Sequence, residues 1–162
     1  MEYFDVLDKD RNLQNYSKKR GTKLLKNEYN QGAEIYIICN NKILITQRSK
    51  TKSHPNMWEV PGGCSIKGED TRQTIVREIK EEIGLNLNES NLKLLNTSIY
   101  KNMFIDIFLY NDKIDLTKIK LDEEEVSDFK LVGKDEINTL IKENKMVTSV
   151  GERYNMVKNL LS

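Results

Sequence analysis

A single histidine, His54, and only two cysteines, Cys39 and Cys64, occur among the 162 residues. That scarcity excludes a His/Cys zinc framework and a disulfide-built scaffold, and it fits a reducing, cytoplasmic interior. Charge of one sign is not in excess either: 26 Lys and Arg face 25 Asp and Glu, a formal net charge of +1. No strong overall field therefore draws the chain to a nucleic-acid polymer or an anionic membrane. Long apolar runs are missing, since Ile35 to Cys39 and Ile107 to Tyr110 fall far short of the roughly 20 residues that span a bilayer. The opening MEYFDVLDKD has no basic head leading into an apolar stretch and does not read as a secretory signal. Alanine occurs once, at Ala33, and 20 Lys stand against 6 Arg; both are read as base bias of a genome, without functional content.

What is present suffices for one core: 38% of the residues are hydrophobic, and residues 1–162 are expected to form a single domain. Tyr3 to Leu7 and Leu13 to Lys19, joined by the turn-forming Asp8 to Asn12, predict a small hairpin within an N-terminal extension over residues 1–30. Ala33 to Cys39 and Lys42 to Arg48 predict a second hairpin across Asn40-Asn41, because Asn tolerates the left-handed backbone of a two-residue loop. A polar loop over Ser49 to Asn56 leads to a short strand, Met57 to Val60, and a tight turn at Pro61-Gly62-Gly63. From Thr71 to Ile83 the residues Ile75, Val76, Ile79 and Ile83 follow helical spacing, with Asp70 or Thr71 as cap and Gly84 as stop. Asn91 to Tyr100, Met103 to Tyr110 and Val126 to Val132 read as strands, and Lys134 to Glu143 and Gly151 to Leu161 as helices. Strands mixed with a few helices suggest a layered α/β/α or α+β domain.

On the first of these helices, Glu78 and Glu82 lie about 40° apart around the axis and Glu81 about 60° from Glu78. Three carboxylates on one edge repel one another unless a cation neutralises them. Their hard oxygens suit Mg²⁺ or Mn²⁺ better than a soft metal. The spacing around the helix runs Gly63, five residues, Glu69, seven residues, then Arg77-Glu78-Ile79-Lys80-Glu81-Glu82-Ile83-Gly84-Leu85. This stretch, residues 63–85, resembles the signature of the Nudix family, with each fixed position filled. The preceding strand pair, Trp58 ahead of Pro61-Gly62-Gly63, and the strands that follow are also similar to Nudix domains.

The resemblance implies a Nudix fold, an α/β/α sandwich with a mixed β-sheet. It also implies hydrolysis of a diphosphate linkage, usually in a nucleoside diphosphate joined to another group, by attack of water at phosphorus. Glu78, Glu81 and Glu82, with a carbonyl at Gly63, are the implied ligands of Mg²⁺ or Mn²⁺. Arg77 is expected to orient the box carboxylates, and Glu69 to hold the preceding loop to the helix. Family members take the water's proton with a box glutamate, here Glu81, or with a glutamate from a later loop, here Glu125 in the run Asp122-Glu123-Glu124-Glu125.

For the substrate, Arg48, Trp58, Tyr100, Lys101 and Phe104 are candidates to line the pocket, since cations suit phosphate and rings stack on bases or cover apolar tails. The N-terminal stretch and the Gln47 to Trp58 segment look like the branch that contains isopentenyl-diphosphate isomerase. Those isomerases carry a catalytic Cys where this chain has Gly62, and a His near the position of Cys64, so hydrolysis is the favoured reading. A third reading, a nucleotide-binding module without catalysis, conflicts with the three retained glutamates. A small diphosphate is the expected partner; many relatives are homodimers, a state to which the N-terminal hairpin could contribute.

Overall fold

The structure, a computed structural model, describes residues 1–161. Nine strands and three α-helices follow in the order β1 (Tyr3–Leu7), β2 (Leu13–Lys19), β3 (Asn30–Cys39), β4 (Lys42–Arg48), β5 (Trp58–Glu59), β6 (Gly62–Cys64), α1 (Thr71–Ile83), β7 (Leu92–Tyr100), β8 (Met103–Tyr110), β9 (Val126–Val132), α2 (Lys134–Lys142) and α3 (Thr148–Val157). β1 and β2 pair as a separate hairpin, while the other seven strands form one sheet in the order β5-β4-β3-β8-β7, with β6 added on β3 and β9 on β4. β3 and β8 run parallel and their remaining neighbours antiparallel, so the sheet is mixed.

Both faces of this sheet are covered. Ala33, Ile35 and Ile37 of β3 and Phe108 and Tyr110 of β8 pack against Ile75, Ile79 and Ile83 of α1. The alternate residues, Tyr36 of β3 and Ile105, Ile107 and Leu109 of β8, pack against Ile137 and Leu140 of α2 and Val150, Tyr154 and Val157 of α3. The result is the expected α/β/α sandwich. Each of the three α1 isoleucines is fully buried, which contributes about 2 kcal/mol apiece. Truncating Ile79 to Ala at the helix centre would cost about 3 kcal/mol.

Helix α1 has the predicted bounds and stops. Asp70 accepts from the Gln73 N–H while the Gln73 side chain accepts from the Asp70 N–H, and Gly84 closes the helix at φ 76°, a left-handed conformation that glycine adopts without penalty. The segment expected to be a tight turn at Pro61-Gly62-Gly63 instead continues into strand β6. Its glycines let it press onto β3, since a β-carbon at Gly62 would overlap the Ala33 carbonyl oxygen. The last helix begins at Thr148, earlier than the Gly151 expected, and ends at Val157.

The N-terminal hairpin lies across this framework. Phe4, Val6 and Leu7 are buried, Leu7 and Tyr29 exchange backbone hydrogen bonds at 2.8 Å, and the Lys67 N–H donates to the Tyr3 carbonyl at 2.7 Å. Arg11 adds a fork to the Asp106 carboxylate of β8, Nη1 to Oδ1 at 2.9 Å and Nη2 to Oδ2 at 2.7 Å. The hairpin thereby rests on the loop that leads into α1. No helix among the described residues is long and apolar enough to cross a membrane.

Candidate active site

The site starts at the crossing of β6 and α1. Glu78 lies directly over Gly63, leaving no room for a β-carbon there. In the antiparallel β3–β6 ladder, Ala33 pairs with Gly63 and Glu34 with Gly62. The neighbouring bonds, Ile35 N–H to the Pro61 carbonyl and Ser65 N–H to the Gln31 carbonyl, fix which pairs exchange hydrogen bonds. By that alternation the Gly63 carbonyl turns inward to β3 and the Gly62 carbonyl outward. The carbonyl expected at Gly63 as a metal donor is thus engaged in the ladder, and Gly62 presents the free one.

Arg77 organises the carboxylates. Its Nε and Nη2 donate to the two oxygens of Glu69 at 2.7 and 3.0 Å, its Nη1 to Glu78 at 3.0 Å and Glu81 at 3.2 Å, and its Nη2 also to the Cys64 carbonyl at 3.1 Å. These partners, Glu69 first, raise the guanidinium pKa further above its ordinary value. Glu69 in turn accepts from the Ile66 N–H at 2.9 Å, which fastens the loop to the helix.

The three box carboxylates do not share one environment. Glu78 and Glu82 are buried, whereas the Glu81 side chain is 57% exposed and reaches back to Arg77. The Glu82 carboxylate has no hydrogen bond or ion pair among the described residues, and its pKa is pushed up to about 9 by burial and by the nearby charges of Glu78, Glu59 and Glu125. Burial raises Glu78 as well, against the pull of Arg77. The loop after β8 folds back onto this end of α1, with the Asp122 N–H donating to the Glu82 carbonyl at 2.9 Å. It carries Glu125, which is ion-paired with Lys52. Among the described residues no three Asp, Glu, His or Cys side chains converge to hold a metal by themselves. Two buried carboxylates, one of them unpartnered, and the outward carbonyl of Gly62, next in the chain to the Gly63 on which Glu78 lies, offer hard oxygens that suit a divalent cation completed by water or substrate.

A cleft of about 400 Å³ opens beside Gly62 and Gly63, walled by Glu34, Arg48, Lys52, Glu59, Tyr100 and Arg153 among others. Arg48 stands in it as expected, but each of its nitrogens is already engaged: Nη1 on both Glu59 oxygens at 3.1 and 3.0 Å, and Nε and Nη2 on Ser53. Burial raises the pKa of Glu59 and of Glu34, with Arg48 and Arg153 respectively opposing it.

Trp58 and Phe104 do not line the cleft. Trp58 lies under the Lys130 ammonium, 4.6 Å from the ring centroid, and Phe104 is buried against Tyr29 and Arg11. Their strand neighbours Glu59, Met103 and Ile105 take the cleft positions instead. Tyr100 lines the cleft as anticipated, and Lys101 a second cavity of about 300 Å³ under the N-terminal hairpin. Burial raises the pKa of Cys64, whose thiol contacts the Met103 sulfur at 3.7 Å, so it is no activated thiol. Glu34, Glu59, Lys52 and Arg153 escaped the sequence reading. Glu34 had a signal, as the charged residue inside the otherwise apolar Ala33 to Cys39, whereas nothing marked Arg153.

Comparison with known proteins agrees with this fold. The NUDIX domain model matches residues 29–150. An uncharacterized Nudix hydrolase of Listeria innocua is 32% identical over 143 residues, covering 86% of this chain and 85% of its own. An 8-oxo-dGTP diphosphatase of Buchnera aphidicola is 34% identical over 73 residues, covering 45% of this chain and 56% of its own. A crystal structure of a Deinococcus radiodurans protein superposes with a TM-score of 0.76 at 16% identity over 98% of each chain. With its complete signature, its mixed sheet between helices and a family match over most of its length, this chain belongs to the Nudix hydrolase family.

Proposed function

We propose that the protein is a divalent-metal-dependent pyrophosphohydrolase that cleaves the diphosphate linkage of a nucleoside diphosphate-linked or related small substrate by water attack at phosphorus. The observation that carries this reading is the buried, unpartnered Glu82 beside Glu78 in a complete signature. The 8-oxo-dGTP diphosphatase similarity supports the same bond class.

Glu78 and Glu82, with the outward Gly62 carbonyl, would hold Mg²⁺ or Mn²⁺. When bound, such an ion neutralises diphosphate oxygens and lowers the pKa of water. Arg77 fixes the Glu78 carboxylate from one side while Glu78 lies on Gly63, so the donor is positioned before substrate arrives. Glu125 takes the proton of the attacking water. The new P–O bond forms from the water oxygen as the bridging P–O bond breaks, and the leaving phosphate keeps that electron pair. Glu81, at the solvent edge, tethers Arg77.

The test is phosphate or pyrophosphate release from nucleoside triphosphates, nucleoside-diphosphate conjugates and short isoprenyl diphosphates, with and without Mg²⁺ or Mn²⁺. Metal-dependent release is expected, lost in Glu82→Gln and reduced far less in Glu81→Gln. Turnover that persists in Glu82→Gln would overturn the reading. Isomerisation of an isoprenyl diphosphate without release would favour the isomerase branch.

A further inference from the structure

Helix α3 carries a guanidinium that its surroundings leave mostly unused. Arg153 lies beyond the matched residues 29–150, is 7% exposed, and stands in the wall of the cleft. Its Nε donates to Glu34 Oε1 at 2.9 Å. A guanidinium has five N–H donors, and among the described residues neither Nη of Arg153 makes a hydrogen bond. Neither Nη counts among the sealed, unsatisfied side-chain atoms, which are the Tyr36 and Tyr154 hydroxyls, so each keeps some accessible surface on a side chain that lines the cleft. At 7% exposure the residue meets little solvent, so an acceptor that enters the cleft finds donors with few competing partners.

The neighbourhood says which acceptor fits. Arg48 places all three of its nitrogens on Glu59 and Ser53, and Lys52 is ion-paired with Glu125, whereas both Nη groups of Arg153 are without a partner among the described residues. The Tyr100 ring lies 5.8 Å from its Cζ and flanks the planar group, which limits rotation. Glu34, its anchor, is the cross-strand neighbour of Gly62. The fork of Arg153 is therefore one glutamate side chain away from Gly62, the chain neighbour of the Gly63 on which Glu78 lies. Paired N–H donors of fixed geometry match the oxygens of a phosphoryl group.

We propose that Arg153 is a substrate-binding residue whose two Nη groups take phosphoryl oxygens of the substrate, in the cleft and apart from the carboxylates of α1. The assignment rests on the hydrolase reading for the identity of the ligand as a substrate, but the anion site is testable without turnover. It makes α3, outside the shared signature, a determinant of which diphosphates are accepted.

The probe is inorganic pyrophosphate, titrated calorimetrically into the metal-free protein. Arg153→Lys keeps a charge for Glu34 and loses the fork; it is expected to bind pyrophosphate at least tenfold more weakly while its melting temperature without ligand stays near wild type. Glu34→Gln combined with Arg153→Gln leaves a neutral pair and must lose the same affinity, which separates a missing fork from an uncompensated Glu34. With an identified substrate and Mg²⁺, Arg153→Lys raises KM and leaves kcat within about threefold. Wild-type affinity in Arg153→Lys, or no pyrophosphate binding by the wild type, overturns the proposal. Hydrolysis abolished by Glu82→Gln would stand in either case, whereas Arg153-dependent pyrophosphate binding in a protein that hydrolyses no diphosphate would leave the anion site and remove the enzyme.

Discussion

Glu78 lies across Gly63 so closely that the backbone of β6 serves as the floor for the carboxylate of α1. Even one methyl group at residue 63 would collide with the Glu78 carboxyl carbon. Because backbone on one side and Arg77 on the other hold Glu78, it has no easy way to yield. Gly63→Ala is therefore expected to lower metal-dependent turnover more than tenfold and to weaken Mg²⁺ binding, measured by steady-state kinetics and calorimetry. Unchanged affinity and rate would show that Glu78 can move aside without consequence.

Arg77 serves Glu69, Glu78 and Glu81 and the Cys64 carbonyl together, so its loss strands several acceptors. Removing one partner of a buried charge pair costs about 3 kcal/mol. Arg77→Ala is expected to lose about that much stability in urea denaturation. Arg77→Lys should recover part of the stability but little of the activity, because an ammonium cannot grip Glu69 through two donors while holding Glu78. Equal activity in Arg77→Lys would mean that charge alone, without the fork, orients Glu78.

How far the sequence discloses this site depends on the element. Helix α1 was legible because isoleucines at helical spacing, a capping Asp70 and a terminal Gly84 all agree. Apart from β6, which read as a tight turn, the strands were legible in extent but not in facing. Since α1 covers one face of the sheet and α2 and α3 the other, β3 and β8 are apolar on both sides and show no alternation. A one-residue step then moves a side chain between faces, which is how Trp58 and Phe104 gave way to Glu59, Met103 and Ile105. Arg153 was illegible for another reason: its partner Glu34 is 119 positions away, so only the folded sheet joins them.

Glu28 provides a pH test of how the N-terminal hairpin is held. Its carboxylate accepts from the Lys18 ammonium, the Leu25 N–H at 2.7 Å and the Tyr16 hydroxyl at 2.8 Å, which lower its pKa to about 2, Lys18 contributing most. A carboxyl depressed on folding stabilises above its ordinary value of 4.5, and that contribution is lost as pH falls from there through about 2. Glu28→Gln should therefore be less stable than wild type at neutral pH, and the two should converge between pH 4.5 and 2. Denaturation midpoints followed across that window check it. Curves that run parallel throughout would mean that the carboxylate is not what ties β2 to the following segment.

The proposed proton acceptor, Glu125, is ion-paired with Lys52, which joins the loop after β8 to the loop after β4. The Ser49 N–H donates to the Glu125 carbonyl at 3.1 Å and the Ser49 hydroxyl to the Glu124 carbonyl at 2.7 Å, so both backbones are clamped and the side chains meet at a fixed place. Glu125 is also close enough to raise the pKa of Glu82, which puts its carboxylate within electrostatic reach of the proposed metal site. Glu125→Gln preserves an acceptor for Lys52 but cannot take a proton from water. It is expected to lower kcat about a hundredfold with little change in KM. Lys52→Met leaves Glu125 ionisable but untethered, and should reduce kcat by less than Glu125→Gln does. If Glu125→Gln keeps full kcat, the base belongs to the box itself, and Glu81→Gln then has to carry the hundredfold loss.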